Sequence, residues 1–297
     1  MKNNFVAGID VGGSHITAAV INITTGELVE KTLRRKSINS KAGHLEIIRD
    51  WTSVINSSFN SIALSPTKIG MAMPGPFDYD EGVCLIANQD KYDSLYGLNI
   101  KHLLADCLLI EPSDIVLTND AACFLYGELF NGAAKNASDA VGITLGTGFG
   151  SAYVKDGQVV DGEWWCAPFR DGIAEDYLST RWFVNRYAEL TGDRMGNVKN
   201  LLVDEQADRE TVKRIFQEFG KNLGEFLVSQ KISVSAESLV IGGNIAHSFP
   251  LFESSLKNTL VQHDLHLEVK KGVLGEHAAL FGAASNCYKK SCEVSTH

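Results

Sequence analysis

The chain has no stretch of about 18 apolar residues, the least that a spanning helix needs, so its 297 residues hold no candidate transmembrane helix. It has no CxxC pair among Cys84, Cys107, Cys123, Cys166, Cys287 and Cys292, so neither a zinc ribbon nor a redox motif is indicated. It has no excess of positive charge: 27 Lys and Arg stand against 36 Asp and Glu, a formal charge of −9. A phosphate backbone needs a cationic face, so this balance argues against nucleic acid as the main partner. No GxxxxGK[ST] run occurs, which excludes a P-loop, and no GxGxxG opens a helix after the first strand, which argues against a dinucleotide fold. The start, MKNNFVAGID, carries too short an apolar stretch for a signal peptide. With no export signal read, the expectation is a cytoplasmic protein with reduced thiols.

What is present is ordinary globular composition, 44% hydrophobic and 21% charged. That is enough to bury a core without a disulfide or metal staple, and the length suggests about two domains. Phe5 to Ile9 reads as a buried strand, Asp10 to Ser14 as a Gly-rich turn, Ile16 to Ile23 as a second strand and Leu28 to Leu33 as a third. Leu45, Ile48, Trp51, Ile55, Phe59 and Ile62 recur at helical spacing. A strand over 68–73 stops at Met73-Pro74-Gly75-Pro76. Residues 77–98 read as loop, 99–109 as helix, and 115–118 as a strand running into Asn119-Asp120 at the head of another helix.

The pattern then restarts. A strand over 140–145, the turn Gly146-Thr147-Gly148-Phe149-Gly150, a strand over 151–154, a turn at Asp156-Gly157 and a short strand near Val159 repeat the opening. An irregular stretch follows over 162–172, then helices over 173–190 and 212–227, and a buried strand over 238–241 stopping at Gly242-Gly243-Asn244. A helix over 246–261 and a last one from about Glu276 complete the chain. Two copies of one unit predict two related α/β domains. No low-complexity linker separates them, so a ligand cleft between them is expected. The boundaries read as 1–118 with a C-terminal helix at about 283–297, and 119–282.

Glycine lets backbone approach a ligand, and exposed N–H groups in such turns cradle phosphate oxygens. Two copies and a third Gly-rich turn therefore point to a nucleotide. Asp10, at the end of a strand beside the first turn, is either an Asx-turn residue or a carboxylate that holds hydrated Mg²⁺. Asp120 is either a helix cap or a general base.

Gly8-Ile9-Asp10-Val11-Gly12-Gly13-Ser14, Met73-Pro74-Gly75-Pro76, Asn119-Asp120-Ala121-Ala122, the Gly146–Gly150 turn and Gly242-Gly243-Asn244 occur in the order of the motifs of ROK-family sugar kinases, which the chain resembles over nearly its whole length. The resemblance implies two actin-like (ribonuclease H-like) domains and ATP-dependent phosphorylation of a glucose-like hexose at the 6-hydroxyl. It assigns Asp10, Gly12, Gly13 and Ser14 to one phosphate element, Gly146, Thr147, Gly148 and Gly150 to the other, and Gly242, Gly243 and Asn244 to the adenosine. Asp120 matches the catalytic base, and Gly75, Asn88 and Asn119 match sugar contacts. Mg²⁺ would sit near Asp10 through water.

The sequence departs from the pattern in places. His15 stands where the pattern has Lys, and Ser14 where it has Thr. The Cys-rich zinc run and its His are missing over 162–175, so no structural zinc is expected. Glu163 and Glu175 survive as expected sugar contacts, and Trp164 and Trp165 are expected to pack in place of the metal. The implied partner is a small sugar, with a homodimer possible. The alternative is a sugar-binding pseudokinase. A repressor of the same family would need a helix-turn-helix ahead of the first strand at Phe5.

Overall fold

The computed structural model describes residues 4–204, 207–230 and 236–294. In chain order the first half runs β1 (Phe5–Val11), β2 (His15–Asn22), β3 (Glu27–Leu28), β4 (Arg34–Ser37), α1 (His44–Asn60), β5 (Ile69–Met73), β6 (Phe77–Asp78), β7 (Val83–Cys84), α2 (Ile100–Leu108), β8 (Ile115–Asn119) and α3 (Asp120–Asn131). The second half runs β9 (Ala140–Leu145), β10 (Phe149–Lys155), β11 (Gln158–Asp161), β12 (Pro168–Phe169), β13 (Gly172–Ile173), α4 (Ala174–Leu178), α5 (Thr180–Thr191), α6 (Val198–Val203), α7 (Arg209–Ser229), β14 (Ser238–Gly242), α8 (Phe249–Gln262), β15 (Glu268–Lys271) and α9 (Ala278–Val294).

Two compact units result. Unit 1 takes the chain up to Lys135 and returns for the residues from Glu276 onward; unit 2 is 136–275. The divisions thus fall after α3 and before α9, not at 118 and 282, because α3 and α9 pack on each other within unit 1. The last three residues of the expected C-terminal helix lie outside the described residues.

Each unit is built on one sheet, and the two sheets share a topology. In unit 1 the order is β3-β2-β1-β5-β8, with β4 also on β2; in unit 2 it is β11-β10-β9-β14-β15. In both, an antiparallel meander is followed by two strands parallel to its first strand. The repeated sequence pattern is therefore a repeated fold.

Apolar burial decides the strands. β5 and β14 are buried at every position, as parallel strands covered on both faces must be. On unit 1, α9 lies so close over β1 and β5 that only glycine fits beneath it: a Cβ on Gly8 would collide with the Leu280 carbonyl, and one on Gly70 with the Ala283 carbonyl. Gly70→Ala is expected to destabilise the protein by at least about 1–3 kcal/mol, the usual cost of overpacking, because the atoms in the way are backbone. An unchanged thermal midpoint would show that the helix can lift away.

Several elements differ from the sequence reading. The third strand is cut short at Leu28 by the 3₁₀ turn Glu30–Thr32, where the buried Thr32 hydroxyl accepts the Val20 N–H at 2.8 Å, and pairing resumes in β4. Leu45 is 73% exposed, so α1 buries its face from Ile47 onward. The stretch 77–98 contains the β6–β7 hairpin. The expected helix over 173–190 breaks at Ser179, whose backbone is extended (φ −122°, ψ 172°). No sequence signal marked α6 or β15.

Candidate functional site

Parallel strands that end together put their following residues in one place, and ligands of α/β sheets bind at those carboxyl ends. In unit 1 the neighbours β1, β5 and β8 do so. Asp10 pairs with Ala72 and Met73 with Asn119, so the Gly12–Ser14 turn, the Pro74–Pro76 stop and the Asn119–Asp120 step lie at one edge. Asp10 is the last residue but one of β1, opposite Thr17, not part of the turn itself. In unit 2 the same edge holds the Gly146–Gly148 turn after β9 and, from the last residue of β14, Gly242–Asn244. Those two touch: Gly243 has φ +83°, and a Cβ there would strike the Leu145 carbonyl. Both features leave only glycine at this position.

The Asn119–Asp120 step divides its labour. Asn119 is the cap of α3, its Oδ1 accepting the N–H groups of Ala121 (2.8 Å) and Ala122 (3.2 Å). Its Nδ2 donates to the Tyr79 hydroxyl at 3.3 Å, and that hydroxyl donates to the Met73 carbonyl at 3.1 Å. Gly75 lies under the same hydroxyl; a Cβ on it would come within 3.3 Å. Asp120 therefore does not have to cap the helix, although its Oδ1 also accepts the Ala121 N–H at 2.8 Å.

Asp120 is exposed at the surface, yet burial of its charge is the largest influence on its carboxyl and raises its pKa; the Ala121 N–H and the positive charge of Lys91 act in the opposite direction. The two observations are compatible. One face of a carboxylate can be wet while protein fills the volume that bulk water would need to stabilise the charge, and that volume governs the titration. Asp10 is pushed up to about 6, first by burial and then by the negative charge of Asp120, with Arg35 opposing. No protein donor reaches the Asp10 carboxylate among the described residues. Two mutually repelling carboxylates, one of them without a donor, beside a backbone turn fit a hydrated hard cation.

In unit 2, Glu175 at the start of α4 braces the glycine turn. Its Oε2 accepts the Phe149 N–H at 3.2 Å, and its Oε1 takes Arg181 at 3.2 Å. A Cβ on Gly148 would lie 2.9 Å from that Oε2. The turn is held from its other side by Thr180, whose N–H and hydroxyl both donate to the Gly146 carbonyl, at 2.8 and 2.9 Å. Glu163 is exposed, in left-handed backbone at φ 49°. Its neighbours differ from expectation. Trp164 stacks on Tyr153 (6.0 Å, 10°) and meets Phe226 edge-on, and its backbone N–H donates to the Ser151 hydroxyl, so it does anchor the segment. Trp165 is 48% exposed and anchors nothing, because the 3₁₀ turn Trp164–Cys166 carries successive side chains to different sides. Asn88 is exposed at φ 57°.

The sequence reading missed Tyr79, Lys91, Tyr92 and Arg181, which act on the site from loops and a helix start, with no motif to mark them. A groove of about 690 Å³ lies elsewhere in unit 2, and its charged walls largely pair with one another, as Arg186 does with Glu218 at 2.7 Å. No helix among the described residues is long and apolar enough to cross a membrane.

The sequence matches the ROK family over residues 6–289. It is 22% identical to an N-acetyl-D-glucosamine kinase of Photobacterium profundum, across 95% of this chain and 99% of that one. The fold is similar to that of a ROK hexokinase from Thermus thermophilus (TM-score 0.78, 20% identity, 97% and 99% of the two chains). It also resembles a ROK family glucokinase from Streptomyces griseus, solved with glucose and AMPPNP (TM-score 0.73, 19% identity, 96% and 99%). With a match spanning nearly every residue and the paired sheets it predicts both in place, this chain belongs to the ROK family.

Proposed function

We propose that this protein is an ATP-dependent sugar kinase that phosphorylates a glucose-like hexose or its N-acetylamino derivative at the primary 6-hydroxyl. The observation that carries the reading is Asp120: a carboxylate at the end of parallel strands, relieved of capping by Asn119 and set near the carboxylate of Asp10. The names of the relatives support the same class of reaction.

Asp120 would orient the sugar hydroxyl and accept its proton as the oxygen attacks the terminal phosphorus. The N–H groups of the Gly12–Ser14 and Gly146–Gly150 turns would receive phosphate oxygens, and Gly242, Gly243 and Asn244 would flank the adenosine. Asp10 would hold Mg²⁺ through water; when bound, the ion offsets phosphate charge. Gly75, Asn88, Asn119, Glu163 and Glu175 would contact the sugar. The rate would come from in-line positioning and electrostatics.

A coupled ADP-release assay across a panel of hexoses and N-acetylhexosamines tests this, and no ADP release above the sugar-free rate with any of them would refute it. The same assay separates the two acids. Glu163→Gln is expected to raise the KM for sugar alone. Glu175→Gln is expected to raise the KM for both sugar and ATP, because its Oε2 also holds the Phe149 N–H of the glycine turn. Each loss should be about 1–3 kcal/mol, the worth of a hydrogen bond to a charged group. An unchanged sugar KM in both variants would remove the sugar-contact assignment.

A further inference from the structure

The turn that would receive phosphate in unit 1 has no cation of its own. Gly12, Gly13 and Ser14 are neutral, and both ring nitrogens of His15 are engaged, Nδ1 with the Ser14 hydroxyl at 2.8 Å and Nε2 with the Ser37 hydroxyl at 3.1 Å. Nearby cations are paired: Arg35 with Glu276 at 2.7 Å, Lys36 with Asp50 at 2.9 Å and Lys41 with Asp90 at 3.4 Å. Lys91 has no carboxylate within ion-pair distance among the described residues. It arrives from a different loop, and its Cδ lies 3.9 Å from where a Cβ on Gly13 would be.

That loop is built to hold it there. Asn88, Asp90 and Tyr92 all take left-handed backbone, at φ 57°, 58° and 59°. Asn and Asp tolerate this; for tyrosine it is an outlier that persists only where the surroundings enforce it. Here they do. The Tyr92 ring is fully buried edge-on to Trp51 at 5.6 Å, its N–H donates to the Ser40 carbonyl at 2.6 Å, and its hydroxyl donates to the Gly12 carbonyl at 2.5 Å. The bond to Gly12 ties the loop directly to the turn, with Lys91 as the adjacent residue. The positive charge of Lys91 is also felt by Asp120.

We infer that Lys91 is a catalytic residue of the reaction proposed above, its ammonium meeting the transferred phosphoryl oxygens beside the Gly12–Ser14 turn, with Tyr92 as its positioning residue. The inference rests on that proposed function. In the step, the sugar oxygen forms a bond to the terminal phosphorus and gives its proton to Asp120. The bond from that phosphorus to the bridging oxygen breaks, and ADP leaves with the electron pair. Lys91 exchanges no proton; it offsets charge on the oxygens in flight.

The test compares the wild-type chain with Lys91→Met, which keeps an apolar stem, and Lys91→Arg. Steady-state kinetics are joined to equilibrium binding of Mg²⁺–ADP and Mg²⁺–AMPPNP. Lys91→Met should lower kcat by about 10²-fold or more, as removal of one preorganised donor does. It should weaken AMPPNP at least about tenfold more than ADP, with the sugar KM and thermal midpoint little changed, and Lys91→Arg should recover part of both losses. A kcat within about threefold of wild type with equal effects on the two nucleotides would overturn the inference, as would a change confined to the sugar KM. If the wild type phosphorylates no sugar, the proposed function falls, and the ADP–AMPPNP difference still decides whether Lys91 meets the terminal phosphate.

Discussion

Asp120→Asn is expected to lower kcat by about 10²–10⁴-fold, the usual worth of a general base, while equilibrium sugar binding changes little. The fold should not suffer. Asn119 keeps its two bonds to the head of α3, and an asparagine at 120 can still accept the Ala121 N–H that Asp120 accepts now. Sugar and nucleotide would still bind; only the group that takes the proton would be gone. A variant that turns over at near the wild-type rate would show that the proton leaves by another route. The raised pKa of Asp120 adds a second readout. In the wild type, kcat should rise with pH as this carboxyl ionises, on a limb displaced upward from the ordinary carboxylate value, and that limb should vanish in the variant.

Asp10→Asn is expected to move stability and activity in opposite directions. Its carboxyl titrates at about 6 in the native state against 3.8 ordinarily. The native state therefore holds this proton more tightly than the unfolded chain does. The sign follows: stability is highest, as far as Asp10 is concerned, below the ordinary value, declines as pH rises between 3.8 and about 6, and stays lowered above that. At about 1.4 kcal/mol per unit, the penalty above pH 6 is on the order of 2–3 kcal/mol. Removing the charge should raise the thermal midpoint at pH 8, with a gain that shrinks steadily as the pH falls toward 4. Turnover should collapse, because the variant lacks the carboxylate proposed to hold Mg²⁺. A gain that is the same at both pH values, or no gain at all, would count against the raised carboxyl.

The sequence revealed most where local chemistry and fold agree. The Gly12 and Gly146 turns stand out because both follow buried strands, and the meanders on either side give the repeat away. Asn119–Asp120 is readable as a pair, but not which of the two caps the helix, since both types cap well; the two N–H groups that Asn119 Oδ1 accepts settle it. Lys91 and Tyr92 were invisible for a physical reason. Left-handed backbone at a tyrosine carries no local signature; it is imposed by Trp51, Ser40 and Gly12, which are distant in sequence. Trp165 misled because two adjacent tryptophans look alike until a 3₁₀ turn sends one inward and the other to solvent. Ser179 broke a helix whose apolar spacing reads through it, because Thr180 turns back to the Gly146 carbonyl.

The seating of α9 on Gly8 and Gly70 has a consequence for how the chain is made. Those glycines lie in β1 and β5, early in the sequence, and their cover is the last helix described. On the ribosome, β1 and β5 emerge long before the helix that covers them, whereas everything unit 2 needs for its own sheet lies within 136–275. Unit 2 can therefore close first, and unit 1 waits with an uncovered sheet face until α9 has been made. For that interval the uncovered apolar face is exposed to aggregation, and a chain truncated ahead of Glu276 is expected to stay so exposed.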